Sequence, residues 1–198
     1  AGLTAPPTHF TLETAVLKTA KARFSLKGTA RNYAQPLIHG TYHATLASGE
    51  FRRALKNSSL PVGLINVSGA IDYQSEPNRQ FLASTTLRGS VRSTELSVAQ
   101  GNASVQIRDL GAEYTVKQGD ATITGIRAQV LGGHLDGTLT MRDLAGSTRS
   151  NLAVSLKDIS ASALQNIFGK STADRAVLGG SLDADANATW GKTLDDLV

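Results

Sequence analysis

Apolar and polar residues alternate with a period of two along most of this chain, and that pattern restricts the fold more than any other feature. Leu135, Leu139 and Met141 fall in one phase, with His134, Asp136, Thr138, Thr140 and Arg142 in the other. Leu152, Val154 and Leu156 alternate with Ala153, Ser155 and Lys157. The same phase relates Val105 to Ile107, Tyr114 to Val116, Ile65 to Val67 and Ile71 to Tyr73, and it runs through Phe81, Ala83, Leu87 and Val91. Successive strand side chains point to opposite faces, so these runs specify strands with one dry and one wet face. One-sided alternation of this kind belongs to an antiparallel or meandering sheet. Turn-forming groups separate the runs: Ser48-Gly49, Pro77-Asn78, Gln100-Gly101-Asn102, Gly119-Asp120 and Ala145-Gly146-Ser147. Between Ile123 and Ile126 the apolar phase slips at Gly125, which predicts a β-bulge.

Helix is scarce. Ser160 to Phe168 reads as two turns, with Ser160 as N-cap, Leu164, Ile167 and Phe168 as a narrow apolar stripe, and Gly169 as the stop. A helix so short suits an edge cover on a sheet, not a bundle. A weak repeat is also present. Val130-Leu131-Gly132-Gly133-His134-Leu135-Asp136-Gly137 returns 47 residues later as Val177-Leu178-Gly179-Gly180-Ser181-Leu182-Asp183-Ala184, matching at six of eight positions. It implies similar strand units over about 130–142 and 177–189, each needing a neighbour to cover its apolar face. The expected organisation is one β-rich unit over 1–198, cut from a longer polypeptide. The chain opens at Ala1, and Thr193 to Val198 reads as a helix just begun.

With 40% hydrophobic and 18% charged residues, the composition is that of a globular protein. The absence of cysteine removes disulfides, thiolate nucleophiles and Cys-based metal sites. Charge is uneven: residues 1–99 carry a net +6 and residues 100–198 a net −2. Lys18, Lys21, Arg23, Lys27 and Arg31 form a stretch without an acid. Nucleic-acid surfaces interleave stacking aromatics with such charges, and here only Phe24 qualifies. Arg23, Ser25 and Lys27 instead alternate with Phe24 and Leu26, as on a solvated strand face, and no nucleic-acid partner is expected. A polyanion or an anionic headgroup is the other reading of the stretch.

Catalytic constellations are not found. His39 and His43, four apart on a strand, stand roughly 13 Å apart on one face, too far for one metal. No Ser sits in a Gly-x-Ser-x-Gly elbow. Asp183 with Asp185, and Asp195 with Asp196, are neighbours, but a glycosidase needs two carboxylates across a cleft, one with a raised pKa. Neither Gly132-Gly133 nor Gly179-Gly180 continues into a phosphate-binding fingerprint. Sequons at Asn57, Asn66, Asn102 and Asn187 are commonplace in a chain so rich in Ser and Thr. The expectation is a protein that is not an enzyme, with no metal and no cofactor.

What remains is the dry face, which must be covered by a second layer, a partner or a ligand. The sheet either folds over as a sandwich or curls into a trough with a hydrophobic floor. Periodicity alone favours the commoner sandwich.

The segment Gly132-Gly133-His134-Leu135-Asp136-Gly137-Thr138-Leu139-Thr140-Met141 leads to the strand Asn151 to Leu156. Lys157-Asp158-Ile159-Ser160 then enters the short helix, and Leu178-Gly179-Gly180-Ser181-Leu182 and Ala188-Thr189-Trp190-Gly191 follow. Together with Leu60-Pro61 and Val67 to Tyr73, this resembles the AsmA-like and TamB families of Gram-negative envelope proteins, over most of residues 40–198. The resemblance implies a mainly β fold: a long curved, mostly antiparallel sheet folded into a β-taco-like groove, with one or two short helices. It also implies a periplasmic location in a parent chain anchored to the inner membrane. The expected role is transport of phospholipid between the membranes or outer-membrane biogenesis, with a phospholipid or other acyl lipid as ligand and outer-membrane assembly proteins as further partners. The groove candidates are Val105, Ile107, Tyr114, Val116, Ile123, Leu135, Leu139, Met141, Leu152, Val154 and Leu156. The competing reading is a structural or adhesive sandwich or solenoid module that binds a protein or glycan. Such a module would show polar ladders outside and a self-filled core, whereas a carrier would leave its apolar stripe open.

Overall fold

A computed structural model describes residues 9–20, 22–49, 61–100, 103–168 and 179–191. The alternating runs form ten strands: β1 (His9–Lys18), β2 (Ala22–Arg31), β3 (Leu37–Ala47), β4 (Val62–Gln74), β5 (Thr85–Gln100), β6 (Ala103–Lys117), β7 (Asp120–Val130), β8 (Gly133–Arg142), β9 (Arg149–Ser160) and β10 (Ser181–Trp190). They make one sheet in chain order, each strand antiparallel to the one before it. The sheet is mainly β, curved and not closed into a barrel.

Tight turns set the register. Gln118 and Gly119 both take positive φ (54° and 84°) between β6 and β7, as do Leu131 and Gly132 (52° and 82°) between β7 and β8. Two consecutive positive φ values are the two-residue hairpin turn whose twist matches the strands. The bulge expected at Gly125 is present: φ is 57° and the pairing slips between Ile123 and Ile126. Phe81 and Ala83, read from the sequence as strand, precede β5 instead. Leu82–Ser84 form a 3₁₀ turn, Phe81 stacks on Tyr73 with centroids 5.1 Å apart, and the Thr85 hydroxyl donates to the Phe81 carbonyl. The tandem turn bonds hold Phe81 and Ala83 out of the ladder, although their spacing matches it.

The helix expected after Ser160 is α1 (Ala161–Phe168), and the Ser160 hydroxyl accepts from the Ala163 amide at 3.3 Å, as an N-cap does. Gly169, the expected helix from Thr193, Lys21, Asn57, Asn102 and the Val177-Leu178 start of the second repeat lie outside the described residues. Of the repeat, Gly132-Gly133 and Gly179-Gly180 both lead into strands, β8 and β10. Their backbones differ, because φ is positive at Gly132 in the first and at Gly180 in the second.

The fold has little interior. Among the described residues the buried apolar side chains are Leu96, Ile159 and four alanines, Ala44, Ala121, Ala128 and Ala161. The chain exposes 13510 Å², where a compact chain of this size exposes about 8,900 Å². A single sheet layer explains both numbers.

Strands approach one another closely at two glycine pairs. Gly69 faces Gly89, and Gly28 faces Gly40, directly across neighbouring strands. A Cβ on Gly89 would stand 2.0 Å from the Ser68 carbonyl oxygen, and one on Gly69 2.4 Å from that of Arg88. The strands crease together there so tightly that no side chain fits between them. Gly89→Val should therefore destabilise the fold by on the order of 2–3 kcal/mol. Gly111→Ala, whose Cβ would meet nothing within 4 Å, should stay within about 0.5 kcal/mol of wild type. Thermal melting of the two variants checks the crease; equal loss in both would remove it.

Candidate functional site

Residues directly opposite on antiparallel strands project to the same face, so the pairing register assigns every side chain. One inner-face row runs Tyr42, Gly69, Gly89, Tyr114, Ile123, Leu139, Leu152, Ala188 across eight strands. The next runs Ile71, Leu87, Val116, Ala121, Met141, Ser150, Trp190. Leu135 faces Ala128 and Leu156, Val154 faces Gly137 and Ala186, Ile107 faces Leu96 and Val130, and Val105 faces Val98. All eleven residues singled out from the sequence thus share one face. Every one of them is half-buried, shielded by its row neighbours and open on one side.

The bulge at Gly125 makes this possible. Thr124 and Gly125 sit between paired Ile123 and Ile126, which returns Ile126 and Ala128 to the inner face. Without the extra residue, β7 beyond Ile123 would turn its apolar set to solvent. The sequence had not singled out Leu26, Tyr42, Val67, Val91 and Ile126 for the groove, and they extend the same floor. Their alternation was legible, but continuity from strand to strand exists only once the register is set.

One polar feature crosses the floor. Tyr42 from β3 and Tyr114 from β6 lean over Gly69 and Gly89, and their hydroxyls hydrogen-bond to each other there. Tyr114 Oη also donates to the Ser68 carbonyl at 3.4 Å. A Cβ at Gly89 would stand 2.6 Å from Tyr114 Oη, so the glycines make room for the clasp. Burial, reinforced by the hydrogen bond with Tyr42, pushes the Tyr114 phenol well above its ordinary range.

The opposite face is polar. His39 and His43 lie on the same side of β3, both exposed, as expected of ordinary surface histidines. His39 Nδ1 lies 2.7 Å from Asp72 Oδ1, and Arg88 donates to Asp72 Oδ2 at 3.1 Å. The hydrogen bond with His39, then that with Arg88, holds the Asp72 carboxyl below its usual range. Thr115, Thr122, Thr140, Asn151 and Thr189 form a polar ladder across β6 to β10. Asp183 and Asp185 are exposed, and Asp183 accepts from the Asp158 amide at 2.9 Å, so the pair does not face a cleft.

At one end of the sheet α1 packs against β6 and β9. Between it and the β7–β8 turn lies a cavity of 620 Å³, lined by Val105, Val130, Leu131 and Ile167 with Arg108, Gln129, His134 and Asn166. Among the described residues no three His, Asp or Glu side chains cluster at metal-binding distance, and no helix is long and apolar enough to cross a membrane.

No protein-family model, curated protein or solved structure matches this chain.

The clasp has a pH signature. A folded-state pKa raised above the unfolded value of about 10 contributes stability that is complete below pH 10 and lost as pH rises through the folded value. Wild type should accordingly lose stability on raising the pH from about 9 to 11, and Tyr114→Phe should lose less over the same interval. At neutral pH the variant should be about 1 kcal/mol less stable, because the Tyr42 hydroxyl loses its partner. Denaturant melts at both pH values check this; parallel pH curves would exclude it.

Proposed function

We propose that this chain is a non-enzymatic lipid-sheltering element of a Gram-negative envelope protein, whose curved sheet holds acyl chains against its apolar inner face. One observation carries the reading: a continuous apolar floor crosses the concave side of a ten-stranded sheet, and among the described residues its side chains are half-buried with only α1, near Val105, packed beside them. Water against such a floor is unfavourable. Each methylene moved from water onto it is worth roughly 0.8 kcal/mol, so one acyl chain supplies several kcal/mol. Curvature suits a chain-like ligand, which a concave surface contacts on more than one side. The floor presents few groups able to recognise a particular head, apart from the tyrosine clasp. It therefore fits a class of acyl lipids, phospholipid foremost.

The proposal includes a periplasmic location, a parent chain anchored in the inner membrane, and a role in phospholipid transport or outer-membrane biogenesis. Outer-membrane assembly proteins are then its natural protein partners. The resemblance of residues 40–198 to AsmA-like and TamB sequences supports these parts. The structural or adhesive alternative draws on the threonine ladder of the outer face, a regular array that a protein or glycan could read. Such a module requires a self-filled core, and among the described residues the buried apolar side chains are only Leu96, Ile159 and four alanines.

Organic extraction of the purified protein followed by mass spectrometry tests the reading directly. Wild type should release acyl lipid, and Leu139→Asp and Val154→Asp should retain their fold while releasing little or none. A carboxylate on an open floor hydrates once the lipid is gone, whereas one in a closed core costs several kcal/mol. Global unfolding of both variants, with no lipid on wild type, would defeat the carrier.

A further inference from the structure

The apolar floor does not stop at the middle of the sheet. The row Ala112, Val91, Val67, Ala44 continues through Phe24 to Leu17, on the β1–β2 hairpin, the outermost pair of strands at that end among the described residues. There the side chains emerge into solvent: Phe24 is 38%, Phe10 52% and Leu17 66% exposed. The outer face of the same hairpin carries Lys18, Arg23, Lys27 and Arg31, all exposed, with Lys18 directly opposite Arg23. None of these four makes an ion pair among the described residues. The hairpin's one acid, Glu13, sits in the bulge between Leu12 and Ala15. Asp72, two strands beyond β2, is already engaged by His39 and Arg88. The far strand differs in charge: β10 presents Ala184, Ala186, Ala188 and Trp190 inward with Leu182 exposed, but it carries Asp185 outward and no Lys or Arg.

We propose that the β1–β2 hairpin is a docking edge that enters the headgroup layer of an anionic bilayer. Charge complementarity and continuity with the floor both select this occupant. Two strands side by side span about 10 Å, the depth to which interfacial elements penetrate. Entering edge first, the hairpin sets Lys18, Arg23, Lys27 and Arg31 among lipid phosphates. Phe10, Leu17 and Phe24 reach the acyl region beside it. An exposed apolar set and a cationic set together supply the two attractions that stable interfacial binding requires. A soluble polyanion would satisfy only the cations, and the hairpin's outer face offers no Phe, Tyr or Trp for base stacking. This deepens the carrier reading by placing the end at which lipid meets the groove. The contact itself requires only the hairpin.

Cosedimentation with vesicles tests it, using pure phosphatidylcholine and phosphatidylcholine with roughly 30% phosphatidylglycerol. Because the native chain has no cysteine, Leu17→Cys and Asn187→Cys can each carry a single environment-sensitive fluorophore. The expected result is binding to the anionic vesicles alone, weakened by salt, with a blue shift at position 17 and none at position 187. Lys27→Glu with Arg31→Glu should reduce partitioning about tenfold or more while keeping copurified lipid and the wild-type melting curve. Leu139→Asp should lose lipid yet still bind vesicles, so the docking edge and the carrier fail separately. Equal binding to both vesicle types, or binding without the shift at position 17, would overturn the docking edge. So would competition by heparin that leaves that label unchanged, since the patch would then serve a soluble polyanion.

Discussion

The register of the antiparallel ladder is the constraint on which everything else in this structure depends. A strand's faces exchange with every single-residue shift, so one uncompensated slip anywhere in the sheet would break the apolar floor. The chain contains several irregularities, at Leu12/Ala15, Gly63/Asn66, Arg108/Gly111, Ile123/Ile126 and Leu182/Ala184. Across the Ile123/Ile126 slip the next paired apolar residue returns to the inner side. Asp109 and Asp158, like Gly125, take positive φ at such points, where a short side chain tolerates the left-handed backbone. The bulges add twist and curvature without costing the face its continuity.

A sheet of one layer forgoes the dense core from which most domains derive stability. Here hydrogen-bonded pairing and row contacts between half-buried side chains take its place, each pair contributing up to about 1 kcal/mol. Glycines have a double role in that arrangement. At Gly69 and Gly89 they admit the crease, and they leave the space into which Tyr42 and Tyr114 lean. The tyrosines restore apolar contact over bare backbone, and their hydroxyls close a bond between strands three apart in the sheet. That bond ties β3 to β6 independently of the ladder.

The two faces divide the chemistry. The inner face presents apolar side chains and little else. The outer face carries the charge imbalance of the chain, with cations on the β1–β2 hairpin that form no ion pair among the described residues and paired or mixed charges elsewhere. Carboxylates are spent on structure: Asp72 on β4 holds His39 and Arg88, and Asp183, one of the Asp183–Asp185 neighbours, accepts from the Asp158 amide. For Asp72 those two partners hold the carboxyl low, the opposite of a proton donor's shift.

Sequence alone determined the strands, the local alternation of wet and dry faces within them, the Gly125 bulge and the Ser160 cap. These follow from local rules, alternation and turn stereochemistry, that act over a few residues. It misread Phe81 and Ala83, because a 3₁₀ turn and a strand can place apolar residues at the same spacing. It could not choose between sandwich and groove, since periodicity says that a face is dry and not what covers it. Tertiary structure decided that question through the order and register of pairing. The tyrosine clasp was equally hidden: Tyr42 and Tyr114 are 72 residues apart, and only the crease at two facing glycines brings their hydroxyls together. Register and curvature are properties of strands in company, and no single strand's sequence contains them.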